Sequence, residues 1–97
     1  MQAEWDVEKC QANLEKHGLS FEDAWRVFAG DTLTIPDERY DYGEDRLITL
    51  GRLAGRVVVV VHVSRGEKTR IISMRKANAR EQEIYQERLD QGRCLKR

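Results

Sequence analysis

The chain has little of what usually announces a chemistry. Its 97 residues include two cysteines, two histidines and one proline. Cys10 and Cys94 stand far apart without local Cys or His companions, which gives neither a disulfide framework nor a metal-ligand spacing, so both read as free thiols. The two histidines and scattered carboxylates make no spaced metal set, and both a glycine-rich phosphate loop and a serine elbow are missing. Any hydrolysis is therefore expected to be run by side chains alone, with no metal and no cofactor. No apolar run approaches the roughly 20 residues that span a bilayer. The opening MQAEWDVEKC has neither the basic head nor the apolar core of an export signal, so the expectation is a cytoplasmic protein without a membrane partner. Internal repeats and low-complexity tracts are absent as well.

Net charge is zero, but it hides two opposed blocks. Lys+Arg minus Asp+Glu is 4 − 12 = −8 for residues 1–45 and 13 − 5 = +8 for residues 46–97. The basic residues recur inside segments that read as strands. A surface of that kind can hold a phosphate backbone although the whole protein is not basic; the plain alternative is that folding pairs the blocks and cancels the field. The length fits one domain with a modest core, near the size where bound partners add noticeably to stability.

Periodicity changes once, after Gly30. Before it, Asp6 can cap a helix carrying Val7, Cys10 and Leu14 on its apolar side, ended by Gly18. Ser20, with Asp23 three residues on, starts a second helix whose Phe21, Ala24, Trp25 and Phe28 read as core. A short edge strand from Thr32 to Ile35 stops at Pro36, and the polar loop DERYDYGED follows. Three strands come next, Arg46 to Gly51, Val57 to Val63 and Thr69 to Met74, joined by loops short enough to make them antiparallel. The run VVVVV fits a central strand buried on both faces. A last helix starts near Asn78 with Glu81 as capping-box partner and is expected to stop at Gly92. Its apolar stripe, Ala77, Ile84, Tyr85 and Leu89, is thin. The fold class is thus α/β in the α+β sense: two N-terminal helices, a three- to four-stranded antiparallel sheet and one C-terminal helix. Residues 1–92 form a single domain in this reading, and 93–97 a basic tail.

Few polar residues sit in structured places. His62 interrupts the valine strand, and antiparallel pairing would let it approach Arg70 across the Gly66 hairpin. Arg46, Arg70 and Arg75 mark strand ends; Arg70 and Arg75 differ in parity, so they reach one site only if a bulge re-aims one of them. On the first helix Lys9, Asn13, Lys16 and His17 form a polar side opposite Cys10 and Leu14, and Lys16 and His17 stand at the helix end, where a cation or proton donor is favoured.

Taken together, Trp5-Asp6 with Lys9 and Asn13, the KHG of Lys16 to Gly18, Phe21 with Ala24 and Phe28, the segment from Arg46, the valines ahead of His62, and RIISMRKANAREQEIY from Arg70 to Tyr85 resemble the BrnT family. The resemblance runs from Trp5 to Leu89. It implies a RelE-like fold, metal-independent cleavage of RNA, inhibition of translation, and a cognate BrnA antitoxin through which the complex reaches operator DNA. Carried onto this sequence, it marks Lys16, His17, Arg46, Arg70, Ser73 and Arg75, with His62 near the pattern. Met74 stands where a small residue is common, and the tail lies outside the resemblance.

The chemistry implied is attack of a ribose 2′-oxygen on the adjacent phosphorus with departure of the 5′-oxygen. Such a site needs a proton acceptor, a proton donor and cations for the charge gathering on phosphoryl oxygens. Arg70 and Arg75 are expected to stabilise the transition state, with Arg46, Lys16 and Ser73 binding RNA and His62 or His17 moving the proton. The DNA-binding antitoxin is expected to pair, giving a hetero-oligomer with more than one copy of each chain. The competing expectation is a non-catalytic nucleic-acid-binding or adaptor protein within a regulatory complex.

Overall fold

A computed structural model describes the backbone of residues 2–37 and 45–95, and the side chains of 3–37 and 45–90. Its elements are strand β1 (Gln2–Glu4), helix α1 (Val7–His17), a 3-10 turn (Phe21–Asp23), helix α2 (Ala24–Ala29), strands β2 (Leu33–Pro36), β3 (Arg46–Leu53), β4 (Arg56–Arg65) and β5 (Lys68–Lys76), and helix α3 (Ala79–Leu95). They form one sheet in the order β1-β5-β4-β3-β2. The pairs from β2 to β5 are antiparallel, as expected, whereas β1 adds a fifth strand parallel to β5, Glu4 lying opposite Arg70. Most of the DERYDYGED loop, the side chains from position 91 onward, Cys94 included, and residues 96–97 of the tail lie outside what is described. Among the described residues no helix is long and apolar enough to cross a membrane.

Helix α1 begins where Asp6 Oδ1 accepts the amides of Glu8 (2.9 Å) and Lys9 (3.3 Å). It ends at Gly18, whose left-handed backbone (φ 71°) lets its N–H reach the Leu14 carbonyl. Of its apolar side only Cys10 packs against the core. Val7 is 76% and Leu14 43% exposed, while Asn13 is buried. The reason is the short β1, which pairs only Lys68 to Arg70 and leaves the rest of the β5 edge open. Asn13 Oδ1 accepts the Met74 amide there (3.2 Å), and its Nδ2 donates to the Leu19 carbonyl (2.9 Å). The helix face was therefore selected for backbone satisfaction at a strand edge rather than for hydrophobicity.

The second helix also departs from expectation. Ser20 caps the 3-10 turn through the Glu22 amide (3.2 Å), and Asp23 makes no capping bond. Three residues per turn carry into α2, so Phe21, Ala24 and Val27 point inward at a spacing of three. Trp25, expected in the core, is 56% exposed as a result. On this helical side of the sheet the inward residues pack with Val58, Val60, Ile71 and Met74. Each such side chain contributes about 1.5–3 kcal/mol by leaving water. Gly51 lies under α2, where a Cβ would come within 2.7 Å of Val27 Cγ1.

The opposite sheet face is covered by α3. Asn78 and Glu81 satisfy each other's amides (2.8 and 2.9 Å), the expected capping box. Ala77 and Tyr85, with the half-buried Leu89, pack on Leu50, Val59 and Val61, whereas Ile84 is 39% exposed. The Tyr85 hydroxyl donates to the Asp31 carbonyl (2.7 Å), and burial raises its pKa, which keeps it a donor. The helix does not stop at Gly92 but continues to Leu95. A helical glycine costs only about 1 kcal/mol, which the flanking helix formers outweigh.

Replacing Asn13 with alanine should leave the Met74 N–H and the Leu19 carbonyl without partners. We expect a loss of about 1–3 kcal/mol in urea unfolding. An unchanged midpoint would show that the β5 edge does not need this side chain.

Candidate functional site

One irregularity in β5 sets the geometry of its charged side chains. Near the hairpin Val63 pairs with Arg70 and His62 with Ile71; beyond it Val61 pairs with Ser73, so Ile72 is an extra residue. An insertion of one reverses the alternation of faces. Arg70 opposite Val63, Ser73 opposite Val61 and Arg75 opposite Val59 therefore share the α3 side of the sheet despite their mixed parity. Arg46 pairs with Val63 from the other neighbour, which makes a cross-strand row Arg46, Val63, Arg70 on that same side. Two strand spacings put the Cα atoms of the two arginines about 10 Å apart. Both guanidinium groups can thus reach one phosphodiester segment. Glu4 extends the row beyond Arg70. Among the described residues Arg70 has no hydrogen-bond or ion-pair partner and is half-buried.

Arg75 is held differently. Its two terminal nitrogens donate to the two oxygens of Glu81, both at 2.8 Å. Since Glu81 Oε1 also accepts the Asn78 amide, one carboxylate both starts α3 and fixes the arginine. A bidentate, partly buried pair of this kind is geometrically rigid. Arg75 consequently reaches substrate only by sharing or exchanging Glu81.

His62 lies on the other side of the sheet. Because Arg70 and His62 pair with successive positions, they face opposite ways, and the approach expected across the hairpin does not occur. The ring is 6% exposed, edge-on to Phe28 with centroids 5.0 Å apart. Its Nε2 is 2.7 Å from Thr49 Oγ1, which is 2.8 Å from Thr34 Oγ1. Burial pushes its pKa below the usual 6.5, so the imidazole is neutral at pH 7.

Lys16 and His17 stand at the C-terminal end of α1, away from the arginine row. His17 lines a cleft of about 480 Å³ together with Arg26, Arg56, Lys76 and Asp23. A larger cleft of about 830 Å³ on the α3 side is lined by Arg52, Gln82, Glu83 and Gln86, and again by Arg56 and Lys76. Among the described residues no His, Cys, Asp or Glu side chains are grouped to hold a metal ion. Glu4 carries no signal in the sequence, because a three-residue strand has no periodicity to read, and neither do Arg26, Arg56 and Lys76, whose three distant segments meet only in the fold.

The geometry thus unites Arg46, Arg70, Ser73 and Arg75 on one face, leaves His62 in the interior, and puts His17 in a separate basic cleft. A family model described as the ribonuclease toxin BrnT of a type II toxin–antitoxin system matches residues 5–81. The chain belongs to the BrnT family. It is a ribonuclease, the toxin half of a type II module, and has an antitoxin as its partner. No curated protein matches the chain. The matched segment contains every candidate residue named from the sequence, begins one residue after Glu4 and ends on Glu81, the partner of Arg75.

In this BrnT-family toxin His62 should show itself in stability rather than in cleavage. Its folded pKa lies below the unfolded value, so protonation favours the unfolded chain: the contribution is complete above about pH 6.5 and is lost as pH falls through the folded value. Between pH 7 and 5 the urea midpoint of the wild type should fall more steeply than that of His62→Gln. Parallel curves would mean that His62 is not buried neutral.

Proposed function

We propose that the toxin cleaves RNA without a metal by attack of a ribose 2′-oxygen on the neighbouring phosphorus, and that the α3-side sheet face is where the substrate lies. The observation that carries this reading is the row Arg46, Val63, Arg70, in which two arginines on the strands flanking β4 face one direction. As the 2′-oxygen bonds to phosphorus, negative charge grows on the non-bridging oxygens, and Arg70 meets it with donors already in place. Arg46 and Ser73 hold the flanking backbone. Arg75, whose orientation is fixed by Glu81, adds a further phosphate contact by sharing or exchanging that carboxylate.

Proton transfer is given in this reading to a carboxylate rather than to either histidine. His62 is buried on the far side, and His17 belongs to another surface. Glu4, which β1 sets opposite Arg70, is the carboxylate available to take the 2′-proton, while water protonates the leaving 5′-oxygen. The 2′-hydroxyl requirement makes RNA the substrate and leaves DNA intact. The antitoxin is of the BrnA kind in this reading: it supplies the DNA-binding domain through which the complex represses its operon, and it assembles with more than one copy of each chain.

Labelled RNA incubated with the toxin in excess chelator should yield ends carrying 2′,3′-cyclic phosphate. Arg70→Ala should lower the rate by about 10²-fold, the usual scale for a lost transition-state donor. His62→Gln should retain it within a few-fold. Loss of cleavage on chelation, or an unimpaired Arg70→Ala, would overturn this site.

A further inference from the structure

The arginine row does not use the basic groups at the other end of the sheet, beside the turn between β3 and β4. There Arg56 and Lys76 line two clefts at once, the one under α3 and the one at the end of α1. The two clefts therefore share a wall and form a path from one sheet face to the other. Counting the charged residues of both, Arg26, Arg52, Arg56 and Lys76 against Asp23 and Glu83 leaves 4 − 2 = +2, and the His17 imidazole is a further polar group in the α1 cleft. Among the described residues Arg56, Lys76 and His17 have no hydrogen-bond or ion-pair partner for their side chains. Two cations converging on a cleft without a partner among the described residues leave donors for an anion.

A second feature lies beside the α1 cleft without lining it. Trp25 is more than half exposed, and the guanidinium of Arg26, which lines the α1 cleft, lies 5.5 Å from its ring centroid. Helix α2 buries smaller residues and leaves this large aromatic out. A flat ring beside cationic donors fits an unpaired base and the phosphate next to it, because any base can stack while the cations follow the backbone. An acidic protein segment would use the cations but has no need of the ring.

We propose that this cleft is a second RNA subsite, in which Arg56, Lys76 and His17 hold a backbone phosphate and Trp25 stacks an adjacent unpaired base. Resting on the ribonuclease reading, it adds single-stranded RNA as the preferred form and a strand that passes around the β3–β4 end of the sheet. Arg56 and Lys76 are its phosphate ligands; neither belongs to the arginine row.

The test uses the 97-residue chain and a short, fully 2′-O-methylated single-stranded RNA that cannot be cleaved, followed by fluorescence anisotropy over a range of salt. The double variant Arg56→Ala/Lys76→Ala should bind about tenfold or more weakly, with the slope of log affinity against log salt reduced by roughly 0.7, the value for one phosphate that is no longer neutralised. Trp25→Ala should cost about fivefold or more with little change in that slope. Circular dichroism checks folding, and all three positions are exposed. Unchanged affinity and slope in both variants, with Arg70→Ala still impaired, would overturn the subsite and leave the ribonuclease site standing. Loss of antitoxin binding with RNA affinity unchanged would assign the cleft to the partner and likewise overturn it. Failure of the wild type to bind RNA at all would overturn both.

Discussion

The extra residue in β5 is the constraint on which the functional face depends. Without Ile72 as a bulge, alternation would send Arg70 and Arg75 to opposite sides of the sheet, one under the helices and one toward α3. With it, Ile71 and Met74 both join the core beneath α1 and α2, while Arg70, Ser73 and Arg75 face the other way. The same irregularity separates His62 from Arg70. A strand that begins with one parity and ends with the other thus serves a hydrophobic core on one side and a cationic strip on the other.

Electrostatics then divide the arginines by what holds them. Arg75 is committed to Glu81, and through the capping box that pair ties the start of α3 to β5. Among the described residues Arg70 has no such partner, so it gives up none of them when it meets a phosphate. A half-buried arginine without a partner among the described residues carries a desolvation cost that a bound anion offsets. His62 shows the opposite solution: two threonines and a phenylalanine ring accept it as a neutral group.

Much of this was legible in the residues. The valine run marked the central strand, Pro36 the end of the edge strand, Asn78 and Glu81 the start of α3, and the parity of Arg70 and Arg75 already required a bulge for a common site. What stayed hidden has physical reasons. Three residues of β1 carry no pattern, so neither the parallel edge nor the place of Glu4 could be read. Periodicity suggested that Val7 and Leu14 face inward, but an open strand edge recruited Asn13 instead. A 3-10 turn shifted the phase of α2 and exchanged Trp25 for Val27. Proximity in sequence suggested a His62–Arg70 pair that the pleat forbids. The basic cleft beside the β3–β4 turn needs four separate segments, which no local pattern announces.

The central claim is that substrate lies on the α3-side face that the bulge assembles. Nitrogen-15 chemical-shift mapping of the toxin, titrated with a non-cleavable RNA, tests it most directly, with the arginine side-chain Nε signals observed alongside the amides. The account predicts that the largest changes fall on Arg46, Val63, Arg70 and Ser73, with the Arg70 Nε resonance shifting in step, while Thr34, Thr49 and His62 stay still. Changes centred on His62 and its threonines, with the Arg70 signals unmoved, would contradict it.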